Sequence, residues 1–323
     1  MNRSLKSLLA VAALVALPAF AKNDALSLIP NDAVSVGVVR LADLRTSPLS
    51  MTLFNQADKF GSNGESDRFL SEAGLDPKKD VDVLVVAMAP HSNLGTDGEV
   101  LVAADGRFNV DRLTAALVER GAVKKNGYLL LPHEGDGSKG GHNGAVAFPS
   151  AGLAVMGSES QVVEALAALA NGGTSFLTSS GLGREVARID PRASAWAILD
   201  VPRAQRLAGS AKVPQSQAAL GAAIKNISTV AMWATDQGDS LKLAGFGIAR
   251  DEETLQLLED TIRGGLAAMR LAVQDKAPEL VPVLRKFTVN RSNDAVSISG
   301  VIPAEELKKF AQKKAAARLQ AEK

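Results

Sequence analysis

The chain has no cysteine among its 323 residues. A chain without cysteine can form no disulfide, cannot bind a metal through thiolates and has no cysteine nucleophile. Any metal site must therefore use nitrogen and oxygen donors.

Aromatic residues and excess charge are also scarce. The chain has one Tyr, two Trp and ten Phe, and its 36 Lys and Arg nearly balance 35 Asp and Glu, which gives a formal charge of +1. Such a chain has no broad electrostatic field for nucleic acid. So few aromatic rings also cannot form the stacking surface that single-stranded nucleic-acid binders use. We therefore expect no nucleic-acid partner.

Long apolar runs are missing except at the N terminus. There Arg3 and Lys6 precede an apolar run over 8–17 and an A-x-A cleavage pattern at 19–21. These features predict that the first 21 residues are a signal peptide, cleaved after Ala21. The run is too short to span a bilayer, which needs about 20 residues. We predict a periplasmic or secreted protein with no transmembrane segment, and the absence of cysteine favours a bacterial envelope.

Three pairs of segments resemble each other in order and spacing, which predicts an internal duplication. The segments of the first pair, "PNDAVSVGVVRLADL" and "PRASAWAILDVPRA", share a proline, a short polar step and a buried strand. The two segments of the third pair are both strands that lead into a helix. The pairs are 30–44 with 191–204, 85–90 with 229–234, and 99–108 with 240–250. The first half carries one extra strand.

Short strands alternate with amphipathic helices along the whole chain. Asn109 and Asp251 are typical helix N-caps, and Ser158 with Gln161 matches a capping box. This mixture predicts an α+β fold of two related lobes, each a mainly antiparallel sheet with helices packed on one face.

Composition suggests where the lobes meet. Gly, Ser, Thr and Pro accumulate in the stretch that follows the first lobe, which is typical of a connection. We predict lobes over 22–172 and 193–303, a linker over 173–192 and a basic C-terminal helix over 304–323. A groove between two such lobes is a common location for ligands.

Two stretches of the first third carry a family resemblance. They are "LIPNDAVSVGVVRLADLRTSPL" at 28–49 and "FLSEAGLDPKKDVDVLVVAM" at 69–88. The pattern of a signal peptide, a P-x-D-A strand, an R-x-S-P-L helix start and a G-L-D-P-x-x-D-V turn resembles a broad group of exported bacterial proteins of unknown function. The resemblance implies fold and export, and it implies no activity and no catalytic residues.

A glycine-rich stretch, "PHEGDGSKGGHNGA" at 132–145, contains Gly135, Gly137 and Gly140 in G-x-G-x-x-G spacing. A dinucleotide site needs a helix directly after these glycines, because the helix N terminus holds the phosphates. The following "GGHNGAVAFP" predicts a strand instead. We therefore interpret the stretch as a hairpin tip, and Lys139 followed by Gly140 excludes a Walker-type loop.

The same stretch offers His133, Glu134, Asp136 and His142 as donors for a zinc-like ion. His91, in another inter-strand loop, could join them only if the two hairpins share an end of the sheet. The alternative is a solvated hairpin tip, because a loop so rich in glycine is poorly preorganised. A metal site and a plain loop both stay open.

Other catalytic patterns are weak. Alternation in "LDPKKDVDV" places Asp80 and Asp82 on one face of a strand start, where they could serve acid–base chemistry. The alternative is a turn at Asp76 whose charge Lys78 and Lys79 neutralise. The chain has no G-x-S-x-G motif for a serine hydrolase.

These observations favour an exported, non-catalytic binding or interaction module that needs no cofactor, with an envelope protein or a small ligand as partner. The first alternative is a metal-assisted hydrolase built on the 133–142 loop. The second is an envelope scaffold that contacts an anionic surface through the basic helix at 304–323.

Overall fold

The structure is a computed structural model that describes residues 24–45, 47, 70–90, 98–132, 144–170, 176–207, 226–275, 277–309 and 312. The described strands are β1 Ser35–Arg40, β2 Val81–Pro90, β3 Gly98–Gly106, β4 Val123–Lys124, β5 Leu129–Leu130, β6 Gly144–Ser150, β7 Leu153–Ser158, β8 Ala195–Asp200, β9 Ile227–Asp236, β10 Ser240–Ala249, β11 Thr288–Arg291 and β12 Ala295–Pro303. The described α-helices are α1 Leu41–Arg45, α2 Pro77–Asp80, α3 Val110–Glu119, α4 Glu159–Ala170, α5 Phe176–Ser179, α6 Gly181–Glu185, α7 Val201–Leu207, α8 Glu252–Gln274 and α9 Leu280–Arg285. Short 3₁₀ helices cover Ala25–Leu28 and Val186–Arg188.

All twelve strands belong to one antiparallel sheet in the order β11-β12-β10-β9-β8-β1-β2-β3-β7-β6-β5-β4. The predicted α+β class is confirmed. The two sheets expected for separate lobes are joined into one, because β1 of the first half pairs with β8 of the second. A strand edge exposes unpaired backbone groups, and this pairing satisfies one edge of each half.

The two halves follow the same strand order outward from the central pair. The first half runs β1-β2-β3-β7-β6 and the second runs β8-β9-β10-β12-β11. The β4–β5 hairpin extends the first half, and no described strand of the second half corresponds to it. This is agreement of topology, and the duplication itself stays a prediction.

Helices pack on both faces of the sheet, not on one. We call one face the core face, defined by the buried side chains Val36, Val38, Val85, Ala103, Val155 and Ile198. It is covered by α4, by the 3₁₀ helix at Ala25–Leu28 and by the segment 176–193. The opposite face carries α3 over the first half and α8 over the second. Both faces of the central strands are therefore apolar, as in sheets covered on each side.

The segment predicted as a linker is folded where the structure describes it. Phe176 is fully buried, and Leu182 and Ile189 join it in the largest core cluster. Gly183 lies so close to the Phe176 carbonyl that an added Cβ would be 2.0 Å from that oxygen. Residues 176–192 thus form part of the core, while the predicted domain boundaries stay predictions.

The predicted helix caps are mostly confirmed. The Asn109 side chain accepts a hydrogen bond from the Arg112 amide, and Asp251 accepts one from the Thr254 amide. Ser158 Oγ accepts from the Gln161 amide at 3.4 Å, which is one half of the predicted capping box. The other half does not form, because the buried Gln161 side chain has no hydrogen-bond partner within the described part of the chain.

The long helix α8 has an apolar side and a charged side. Leu255, Leu258 and Leu266 are buried against the sheet, while Arg263 bonds to Glu259 on its surface. Among the described residues, no helix is long and apolar enough to cross a membrane.

Candidate functional site

The face opposite the core face, which we call the groove face, carries an unbroken apolar row across eight strands. Residues that pair directly across neighbouring strands point to the same face of a sheet. In order across the sheet the row is Met156, Val102, Val86, Gly37, Ala197, Met232, Gly245 and Ile298. The row next to it, which includes Leu84, Val39, Ala195, Ala234 and Leu243, is also apolar.

A groove opens where neither α3 nor α8 covers this face. Its volume is about 730 Å³, and it crosses the junction between the two halves. The floor consists of small residues on the central strands, among them Gly37, Ala195, Ala197, Ala234 and Gly245. Small side chains leave the space that larger ones would fill, so the groove follows from the sequence of these strands.

Helix α8 and the segment after it close one side of the groove. A Cβ at Gly247 would lie 2.8 Å from Leu258 Cδ2, and one at Gly300 would lie 2.5 Å from the Phe287 ring. Glycine at these two positions therefore lets the helix side chain and the ring pack directly on the sheet. The wall that results also contains Ile262 and Ile298.

Several large apolar side chains of the groove face are exposed. Met232 is 63% exposed at the centre of the sheet, and Val86, Met88, Val100 and Met156 are also exposed. Methionine is unbranched and polarizable, so it adapts to partners of different shape. Exposed apolar patches of this kind mark binding surfaces in many proteins.

A second cavity lies on the core face, at the end of the sheet where β1 leads into α1. We call it the charged cleft. Its volume is about 940 Å³, and its walls come from the N-terminal 3₁₀ segment, the central strands and the segment 177–191. Its ionisable residues are Asp24, Arg40, Asp43, Asp82, Asp105, Arg184 and Asp190.

Two carboxylates of the charged cleft have raised pKa values. Burial raises the pKa of Asp105 to about 6; a hydrogen bond from the Ala25 amide opposes this, and the charges of Asp24 and Asp82 add to it. Burial also raises the pKa of Asp24, although the Ser27 amide donates to its side chain. These two residues anchor the N-terminal segment, whose Leu28 is buried in the core.

The carboxylates of Asp82 and Asp190 have arginine partners. Arg45 Nη1 lies 2.6 Å from Asp82 Oδ1, and Arg107 Nη1 lies 3.1 Å from Asp82 Oδ2. The hydrogen bond from Arg45 is the main reason that the pKa of Asp82 is lowered. Asp190 accepts from the Arg192 amide at 3.0 Å, which lowers its pKa.

The predicted carboxylate pair at the start of β2 does not form. Asp80 belongs to α2 and the strand begins at Val81, so alternation cannot place Asp80 beside Asp82. Asp76 caps α2 by accepting from the Lys78 amide, and Lys79 lies 2.7 Å from the Asp76 carboxylate. The stretch is thus one turn of helix capped by Asp76, and Lys79 offsets the charge of Asp76 as the alternative interpretation expected.

The predicted metal ligands His133, Glu134, Asp136 and His142, and His91 with them, lie outside the described residues. The strands on either side of the glycine-rich stretch, β5 and β6, pair antiparallel, so a strand follows it as predicted. Pairing of Pro90 with Gly98 and of Gly144 with Ser158 puts the flanking ends of both loops at one end of the sheet. Within the described ranges, no group of His, Asp and Glu could hold a metal ion.

The basic C-terminal helix is described only over 304–309 and at 312. There Lys308 lies 3.5 Å from Glu305, and Lys309 lies 2.9 Å from Glu306. These pairs offset the positive charge that the sequence suggested for this part of the helix.

Comparisons with known proteins add a likeness of fold. No family model matches the chain, and no curated protein matches its sequence. Among solved structures, crystal form IV of TP0453 is similar with a TM-score of 0.48 and 11% identity, covering 90% of this chain and 95% of that one. Crystal form I of TP0453 gives a TM-score of 0.47 and 10% identity, covering 90% and 97%. Likenesses at this level carry no information about function.

Sequence reasoning expected a groove between two separate lobes, whereas the groove lies on one face of a single sheet, and it missed the charged cleft. A signal for the groove was present, since "VDVLVVAMAP" in β2 is apolar at positions facing both ways. The sequence could not indicate that the described helices α3 and α8 leave part of the second face uncovered. The charged cleft gave no local signal, because its walls come from segments far apart in the chain.

Proposed function

We propose that this protein is a non-catalytic binding protein of the bacterial envelope that holds the aliphatic chain of a lipid-like molecule in the groove. The observation that carries the proposal is the groove itself, which is open, apolar and lined across both halves of the sheet. Export rests on the sequence features of the first 21 residues.

The lining supports binding over catalysis. Among the described residues that line the groove, none is ionisable. Acid–base or nucleophilic chemistry needs a titratable group within hydrogen-bond distance of the reacting atom. A surface of aliphatic and aromatic carbon offers a ligand only dispersion contacts and removal from water.

The size of the groove suits a small apolar ligand. Ligand pockets commonly measure about 300–1,000 Å³, and the groove volume of about 730 Å³ lies inside that range. Each buried methylene gains about 0.8 kcal/mol, so eight of them gain about 6 kcal/mol before the cost of association. We therefore expect an aliphatic chain to need about eight methylenes before it binds measurably.

The experiment uses the neutral fluorescent probe N-phenyl-1-naphthylamine, whose emission rises in an apolar site, with 1-dodecanol as competitor. Gly37→Ile and Ala197→Phe fill the floor of the groove. A Cβ at Gly37 has no neighbour closer than 3.9 Å, so the added side chain enters the groove without displacing the backbone. The control is Ala268→Phe, at an exposed alanine on α8.

We expect the filling variants to bind the probe at least tenfold more weakly, and the control to bind it as the wild type does. Unfolding curves of each variant confirm that it is folded. Equal probe binding in wild type and both filling variants, or failure of 1-dodecanol to compete, would contradict the proposal.

The alternative functions concern other parts of the chain. The metal-assisted hydrolase depends on the 133–142 loop, and metal analysis of the purified protein with His133→Ala and His142→Ala tests it. The envelope scaffold depends on 304–323, and loss of envelope association on deleting 304–323 would support it.

A further inference from the structure

In the part of the chain that the structure describes, the carboxylates of the charged cleft have protein partners, whereas its two arginines do not. Its carboxylates have protein partners: Asp24 and Asp105 accept from backbone amides, Asp82 pairs with two arginines, Asp190 pairs with Arg192, and Asp43 also has an interaction partner. The arginines of the cleft differ. Among the described residues, neither Arg40 nor Arg184 has a side-chain hydrogen bond or an ion pair.

Arg40 is fixed in position by the sheet. It ends β1, its Cα is paired with Val83 on one side, and its backbone amide donates to the Ser194 carbonyl at 2.8 Å on the other. Arg40 is half-buried and lines the cleft. A guanidinium has five N–H donors, and withdrawing them from water without acceptors is unfavourable. The cleft therefore offers donors on a rigid strand that the protein itself does not use.

Arg184 approaches the cleft from the other wall. It lies in α6. Ser180 caps the start of this helix, and its Oγ accepts a hydrogen bond from the Gly183 amide at 2.7 Å. The neighbouring Leu182 is buried in the core, so α6 is held against the sheet. The two unpaired guanidiniums thus belong to two separately anchored elements that border one cavity, with Arg40 half-buried and Arg184 exposed.

We propose that the charged cleft is a binding site for an organic anion, with Arg40 and Arg184 holding its carboxylate or phosphate group. Guanidinium donors match the oxygens of both groups in planar, charge-assisted hydrogen bonds. The remaining wall is apolar and includes Leu26, Val38, Leu177, Ile189 and Trp196. An anion with an aromatic or aliphatic body fits this wall, whereas a bare inorganic ion would leave it unfilled.

This site is separate from the proposed lipid groove. Val38 and Arg40 point to the core face, because they alternate with Gly37 and Val39 of the groove face along β1. A ligand in the cleft and a ligand in the groove therefore lie on opposite faces of the sheet. Val38 and Trp196 border both cavities, so the effect of each variant is measured on both ligands.

The test is isothermal titration calorimetry with benzoate, phenyl phosphate and the neutral analogue benzyl alcohol. The protein carries Ala197→Phe, which removes the groove as a competing apolar site. Arg40→Gln and Arg184→Gln each delete one guanidinium, and Arg285→Gln at an exposed arginine of α9 is the matched control. Unfolding curves show whether each variant is folded.

We expect one or both anions to bind, more weakly at high salt, and benzyl alcohol not to bind. Comparing the two anions distinguishes a carboxylate ligand from a phosphate ligand. Each cleft variant should lose at least tenfold in affinity, and the control should lose none. Absence of binding by both anions, equal binding of benzyl alcohol, or unchanged affinity in both folded cleft variants would overturn the proposal.

Discussion

Replacing Asp105 with asparagine should stabilise the protein at neutral pH. The carboxylate is half-buried beside Asp24, and its pKa is raised from 3.8 to about 6. The folded state therefore binds a proton more readily than the unfolded chain does between about pH 4 and pH 6. The sign follows: stability rises as the pH falls through 6, and above that pH the charged carboxylate destabilises the fold.

The magnitude follows from the shift. One pKa unit corresponds to about 1.4 kcal/mol, so a shift of this size is worth at most about 3 kcal/mol. Solvent screens a half-exposed carboxylate, and we reduce the expected effect to about 1 kcal/mol. Asparagine keeps an oxygen that can accept from the Ala25 amide, now 2.9 Å from Asp105 Oδ1, so the anchor of the N-terminal segment is preserved.

Urea unfolding at about pH 7.5 and about pH 5 measures this difference. The pKa values of Asp82, Asp190 and Asp294 are lowered, so their contributions are lost only below their usual titration range. Comparing wild type with Asp105→Asn at each pH cancels the other titrating groups. Asp32→Asn, at an exposed aspartate, controls for the loss of one negative charge.

We expect Asp105→Asn to be more stable than wild type at the higher pH and to keep only about half of this advantage at the lower pH, which lies midway between the unfolded and folded pKa values of Asp105. The reasoning is refuted if the variant is less stable at the higher pH, or if the difference from wild type does not change with pH.

Three further predictions concern packing and backbone. Gly264 and Gly265 lie inside α8 with open space around each added Cβ, so Gly264→Ala and Gly265→Ala should each raise the free energy of unfolding by about 0.5–1 kcal/mol in denaturant titrations. Phe176→Ala removes a fully buried ring and should lower the free energy of unfolding by about 3–5 kcal/mol; a cost under about 1 kcal/mol would mean that the segment is not part of the core. Gly183→Ala should lower the thermal midpoint because its Cβ would overlap the Phe176 carbonyl, and an unchanged midpoint would contradict that contact.

Local signals in the sequence predicted much of the secondary structure correctly. Asn109 and Asp251 begin helices because their side chains accept from amides two or three positions later, and this depends only on neighbouring residues. The β2–β3 and β9–β10 hairpins follow from apolar runs separated by residues that favour turns. The failure at Asp80 is also local, since the proline at 77 starts a helical turn that delays the strand.

The linker prediction shows the limit of composition. Glycine and serine between 176 and 192 suggested a solvated connection, yet Gly183 is there because a neighbouring carbonyl leaves no room for a side chain. Close packing and flexibility call for the same residue type. Composition alone cannot separate these two reasons.

The sequence by itself determined the α+β class, the caps at Asn109 and Asp251 and the lack of cysteine chemistry, because each depends on neighbouring residues or on composition. Tertiary structure decided that β1 pairs with β8, which turns two expected sheets into one and places Gly37 beside Ala197. It also decided that α3 and α8 leave the centre of one face open, and that Arg40 and Arg184 border one cleft. Both cavities are made by residues far apart in the chain, and local sequence patterns do not predict which distant residues come together.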